Sequence, residues 1–254
     1  MRLGHAILAL GLLAVAPAAE VSAGPVPVVE RSFVIAIDPG HGGDNGGCVA
    51  FDGAIHEKDL TLAMAHELQA SLLRRLPHAR VVLTRAGDET VTLADRVARA
   101  NAAGADLLLS LHANASGHEP QTGFETYVLD LGLDRREAAR SARVEDGAEP
   151  TRARALAMVR ELALSSHRGR AAGFARRVQQ EQAQRFPERI DRGVKQAGFD
   201  VLMGAEMPAV LFEAGFLDHP EEGRRLLDSG QRALVVDGLT EAIVDYYREH
   251  ARER

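Results

Sequence analysis

The chain has 254 residues, 46% hydrophobic and 26% charged, which suits one substantial domain of ordinary globular composition. A net charge of −6 gives nucleic acid no electrostatic footprint, and 4% aromatics without tryptophan argue against an aromatic-lined carbohydrate platform. The single cysteine, Cys48, excludes an internal disulfide framework, so the core alone must hold the fold.

The chain starts with a targeting signal. Arg2 and the free amine make a positive region, and Ala6 to Ala16 is an apolar stretch too short to span a bilayer. Val21-Ser22-Ala23 fits a small-x-small cleavage site, so residues 1–23 read as a signal peptide and the protein as secreted. Residues 24–32, with Pro25 and Pro27, read as a linker to a domain over 33–250.

From Phe33 onward, short apolar runs alternate with longer helical stretches. Predicted strands are Phe33–Ile37, Arg80–Thr84, Asp106–Leu111, Gly123–Leu129, Asp200–Met203 and Ala209–Phe212. Continuous runs such as Leu107-Leu108-Leu109 suit strands covered on both faces. A first helix follows Glu57, with Leu60, Met64, Leu68 and Leu72 on one stripe, and Pro77 ends it. A second starts near Thr92, turns Leu93, Val97 and Ala100 inward and stops at Gly104. The last, Gln231 to about Glu249, buries Leu234, Val235, Leu239, Ile243 and Tyr246. This alternation predicts an α/β single domain: a mostly parallel twisted sheet of about six strands with helices on both faces.

Residues 132–195 break the rhythm and read as a helical insert, with helices over Arg152–Leu164 and Arg168–Phe186. The interval holds 15 Lys and Arg against 9 Asp and Glu, so it carries +6 and the rest of the chain −12. A basic insert on an acidic body suits a segment that docks back or meets a partner; a solvated helical pair is the plainer reading.

Chemistry concentrates at the predicted strand ends. Phe33 to Ile37 runs into Asp38-Pro39-Gly40, which must turn and leave His41 at the strand's carboxyl edge, with Gly42 and Gly43 beside it. Open α/β sheets place ligands at that edge. His112 ends the Asp106 strand and Glu213 ends the Ala209 strand. His56 and Glu57 compete at the start of the first helix, while Asp59 suits a first-turn dipole partner. Cys48, seven residues after His41, could serve as a ligand but, with no second cysteine, reads better as a small apolar residue. Two imidazoles and one carboxylate form a catalytic zinc set that leaves one position for water. A separate carboxylate can take the proton of that water and pass it to a leaving amine. The chemistry is hydrolysis of an amide or ester.

Asp38-Pro39-Gly40-His41-Gly42-Gly43, Glu57-Lys58-Asp59, Ser110-Leu111-His112-Ala113-Asn114 and Pro208-Ala209-Val210-Leu211-Phe212-Glu213-Ala214-Gly215-Phe216 occur in a telling order. Over about Phe33 to Tyr247 the chain resembles the zinc-dependent N-acetylmuramoyl-L-alanine amidases of the amidase 3 family. The resemblance implies one Zn²⁺ on His41, Glu57 and His112, choosing Glu57 over His56, and Glu213 as the catalytic carboxylate. It implies a periplasmic peptidoglycan hydrolase, expected as a monomer, that cuts the amide between N-acetylmuramic acid and the L-alanine of the stem peptide. Cys48 stands where a small residue is more usual. The insert resembles that of cell-division amidases, in which an inserted acidic residue occupies the metal's open position until a LytM-type activator displaces it. Glu145 is the candidate for that residue, ahead of Glu137 and Glu149. The rival functions are a zinc peptidase acting on stem-peptide crosslinks and an inactive wall-binding protein.

Overall fold

A computed structural model describes residues 31–117, 120–129 and 150–251, with residues 150–165 by their backbone. The signal segment, most of the linker, and Glu137, Glu145 and Glu149 lie outside the described residues.

The elements, in chain order, are β1 (Val34–Pro39), α1 (Glu57–Arg75), β2 (Arg80–Leu83), α2 (Leu93–Ala102), β3 (Leu107–Asn114) and β4 (Phe124–Leu129). They continue with α3 (Pro150–Arg185), β5 (Asp191–Ala197), a short 3-10 turn (Asp200–Leu202), β6 (Ala209–Phe216), α4 (Pro220–Leu227) and α5 (Ser229–His250). The six strands form one sheet in the order β2-β1-β3-β6-β4-β5. All neighbours pair parallel except β4 and β6, which run antiparallel. The expected α/β class, strand number and two-faced covering are all present.

The two faces follow from strand alternation. Ile35, Ile37, Leu107, Leu109, Leu111, Val210 and Phe212 pack under α1, α3 and α5. Val34, Ala36, Leu108 and Leu211 point the other way, against α2 and the 3-10 turn. On α1, Leu60, Met64, Leu68 and Leu72 are at most 2% exposed. Each such side chain contributes about 1.5–3 kcal/mol by leaving water. Local chemistry sets the helix starts. Thr92 accepts from the Asp95 amide at the start of α2, Asp228 from the Gln231 amide at the start of α5. Asp59 reaches back to the His56 amide at the start of α1.

Several expectations need correction. Asp200–Met203 is not a strand; its Val201 and Leu202 cover the second core as a 3-10 turn. The sixth strand is β5, Asp-Arg-Gly-Val-Lys-Gln-Ala, which begins inside the interval assigned to the insert and runs two residues past its end. It lies on the sheet edge, where polar side chains remain wet, so no apolar run marks it. The two expected insert helices are one continuous helix, and its Phe174 and Val178 belong to the main core. Leu93 and Leu234 are exposed, not inward. Leu93 is the first residue of its helix, and Leu234 sits beside the inward Val235 on α5. Pro220–Leu227 is a helix that periodicity did not reveal; Pro220 occupies its first turn and His219 caps it.

Candidate metal and catalytic site

The site lies where β1, β3 and β6 end. His41 follows β1 with φ 62°, a left-handed conformation that costs a non-glycine residue about 1–2 kcal/mol. Buried arginines offset that strain. Arg96 donates to the carbonyls of Pro39 and His41 and pairs with Asp38 at 2.9 Å. Arg85 donates to the carbonyls of Pro39 and Gly40, each at 2.9 Å, and to that of Lys58 at 2.8 Å. Asp38 is itself fixed by Ser110 Oγ at 2.6 Å and by Thr84 Oγ1. The turn is thus clamped by Asp38 of β1, Arg85 just past β2, Ser110 of β3 and Arg96 of α2.

His41, Glu57 and His112 offer ligand atoms within 4.8 Å of one another. Glu57 Oε1 lies 3.0 Å from His41 Nε2 and 3.0 Å from His112 Nδ1. Ligand atoms on a tetrahedral zinc with 2.0–2.1 Å bonds stand about 3.3 Å apart, so the set fits that ion in size and in donor chemistry. His41 Nδ1 meets Asn45 Oδ1 at 2.9 Å, which orients the ring and leaves Nε2 for the cluster. Glycines make the room. A Cβ on Gly47 would stand 2.5 Å from Glu57 Oε2, and one on Gly40 would stand 2.4 Å from the His112 ring.

Burial pushes the Glu57 carboxyl up, but hydrogen bonds from His112 and His41 outweigh it and hold the group well below the usual carboxylate range. Burial pushes the His41 imidazole down, and the hydrogen bond and charge of Glu57 return it above its ordinary value. The Glu57 carboxylate is therefore ionised, the form a metal would require. Cys48 is not part of the cluster. Its amide donates to Glu57 Oε2 at 3.1 Å, and burial with the Glu57 charge keeps its thiol protonated. His56 bridges to Val49 and stays outside the cluster.

Glu213 pairs in register with His112 across β3 and β6. It is 7% exposed, and its Oε2 has no hydrogen-bond partner among the described residues. Burial first, then the charges of Glu57 and Glu125, raise its pKa well above the carboxylate range. A buried carboxyl with an unused oxygen beside a metal-type cluster suits proton transfer.

Asn45, Arg85, Arg96 and Glu125 went unrecognised in the sequence. Arg96 carried a signal, since it lies four residues before the inward Ala100 and shares its helix face. Glu125 interrupts an otherwise uncharged strand.

Known proteins resemble this chain over most of its length. The model of the Amidase 3 family, described as N-acetylmuramoyl-L-alanine amidase, matches residues 35–245. The N-acetylmuramoyl-L-alanine amidase CwlM of Bacillus licheniformis is 34% identical over 195 residues, 77% of this chain and 61% of that protein. This chain therefore spans less than two thirds of that relative. The N-acetylmuramoyl-L-alanine amidase AmiA of Escherichia coli is 26% identical over 87% of this chain and 80% of its own length. The solved catalytic domain of the amidase CwlV from Paenibacillus polymyxa superposes with a TM-score of 0.65 at 28% identity, covering 85% of this chain and 98% of that one.

Proposed function

The chain belongs to the N-acetylmuramoyl-L-alanine amidase family, and from that premise we propose that it hydrolyses the amide between N-acetylmuramic acid and the L-alanine of the peptidoglycan stem peptide. The observation that carries this reading is the joint placement of His41, Glu57 and His112 around one point with Glu213 on the adjoining strand.

His41, Glu57 and His112 would hold one zinc ion. When bound, zinc supplies Lewis acidity that polarises a carbonyl and brings the pKa of water to about 7. Asn45 orients His41, and Arg85 and Arg96 keep its turn in place. Glu213 takes the proton of the attacking water at Oε2 and gives it to the departing L-alanine nitrogen. Its raised affinity for protons suits the second half of that transfer, in which the carboxyl holds the proton and delivers it to the leaving nitrogen.

The protein would be secreted through its N-terminal signal, work in the periplasm on wall remodelling or daughter-cell separation, and act as a monomer. Glu145 would occupy the open metal position at rest, and a LytM-type activator docking on the insert, residues 132–195, would remove it. Glu145→Ala should then raise basal cleavage, whereas an unchanged rate in a folded variant would remove the autoinhibition from the proposal.

Digestion of purified sacculi, with zinc added and with zinc chelated, tests the activity. Mass spectrometry should find intact stem peptides released only with metal. Opened crosslinks with the lactyl amide intact would indicate a peptidase instead.

A further inference from the structure

One sheet face carries a row of side chains that continues past Glu213. Glu213 pairs in register with His112 on one side and with Glu125 on the other. Glu125 is buried and ionised: burial raises it, but bonds from Lys195, Tyr127, Arg192 and Asn114 bring it down to about 2. Arg192 Nε donates to Glu125 Oε2 at 2.7 Å, and Lys195 Nζ donates to the same oxygen. Two cations thus meet one anion, which leaves the cluster with a net charge of +1.

The two cations differ in how far they are committed. The Arg192 guanidinium also donates to Gln121 Oε1 and the Thr122 carbonyl and lies over the Phe216 ring. Lys195 also lies over a ring, that of Tyr127, but it has Glu125 as its hydrogen-bond acceptor among the described residues, and its side chain keeps 35% of its surface exposed. An ammonium has three donors, so Lys195 can bind a further acceptor without leaving Glu125.

Resting on the amidase reading, we infer that Lys195, backed by Arg192 and Glu125, forms a subsite for a free carboxylate of the stem peptide, that of the residue following L-alanine. The reach agrees. Strands β6 and β5 are two spacings apart, about 10 Å. Two extended residues span about 7 Å from the scissile nitrogen. The Lys195 side chain, folded back to Glu125, covers the remainder. Neutralisation of Glu125 alone would need one cation; the second, Lys195, is partly exposed and has donors beyond the one on Glu125.

The test compares two N-acetylmuramoyl dipeptides, one with a free α-carboxylate at the second residue and one with a carboxamide there. Binding is measured by calorimetry to the full chain carrying Glu213→Gln, so that turnover does not intervene. The acid should bind about tenfold tighter than the amide, with the difference shrinking as salt rises. Adding Lys195→Gln should bring the ratio near one, while Lys195→Arg should retain most of it. An acid-to-amide ratio near one in the parent, or a ratio unchanged by Lys195→Gln, overturns the subsite. If the unmodified chain cuts neither compound, the amidase reading fails, and the binding ratios still decide the subsite.

Discussion

His112 and Glu213 are register partners on adjacent parallel strands, so one metal-type ligand and one orphaned carboxyl share a sheet face and an edge. The pairing makes the division of labour testable, because either side chain can be removed without rebuilding the strands that carry them.

Removing His112 should remove the metal. At free zinc 100-fold above its dissociation constant, binding stabilises the folded state by about 2.7 kcal/mol. For a domain of this size that is a melting shift of about 5–10 °C. Thermal scans of the parent with zinc and with chelator should differ by that amount, and His112→Ala should show no difference. An equal shift in the variant would place the metal elsewhere.

Gly47 has φ 69°, and its missing Cβ leaves space for Glu57 and His41. Gly47→Ala should displace both ligands and lower zinc affinity by about 10–100-fold, read by chelator competition. The core should hold, because the loop lies outside it. Unchanged affinity would mean that the loop yields freely.

Arg96 and Asp38 are at most 3% exposed and pair at 2.9 Å. Arg96→Met leaves Asp38 buried without its cation and frees the carbonyls of Pro39 and His41. Urea unfolding of the metal-free protein should show a loss of about 3–5 kcal/mol. A loss below about 1 kcal/mol would assign the turn's conformation to its glycines instead.

Glu213 predicts an opposite trend. Its folded-state pKa is raised by burial and by the Glu57 and Glu125 charges, so the folded protein retains a proton that the unfolded chain releases. Stability therefore falls as pH rises from the unfolded carboxylate range, about 4.5, towards the folded value. Glu213→Gln lacks this penalty. In chelator, its stability relative to the parent should grow from pH 4 to pH 8, measured by urea midpoints. A difference that shrinks over that range would contradict a raised Glu213.

Much of this arrangement could be read from the residues because it rests on local signals. Continuous apolar runs marked β1, β3 and β6, and the chemistry sits at their ends. The four-residue stripe from Leu60 to Leu72 marked α1 and placed Glu57 at its start. What escaped depends on distant partners. Arg96 reaches Asp38 across 58 residues, and nothing local assigns that pair. β5 is held by the backbone of β4 and carries the polar side chains of an edge. Leu93 and Leu234 follow apolar periodicity, yet each lies where its helix has no neighbour to cover it.

The most direct test is a paired measurement on Glu213→Gln. The variant should hold one zinc per chain, by elemental analysis, and release no stem peptide from purified sacculi. Near-full cleavage by that variant, or loss of the metal with the activity, would contradict Glu213 as the proton-transferring carboxylate beside a His41–Glu57–His112 zinc site.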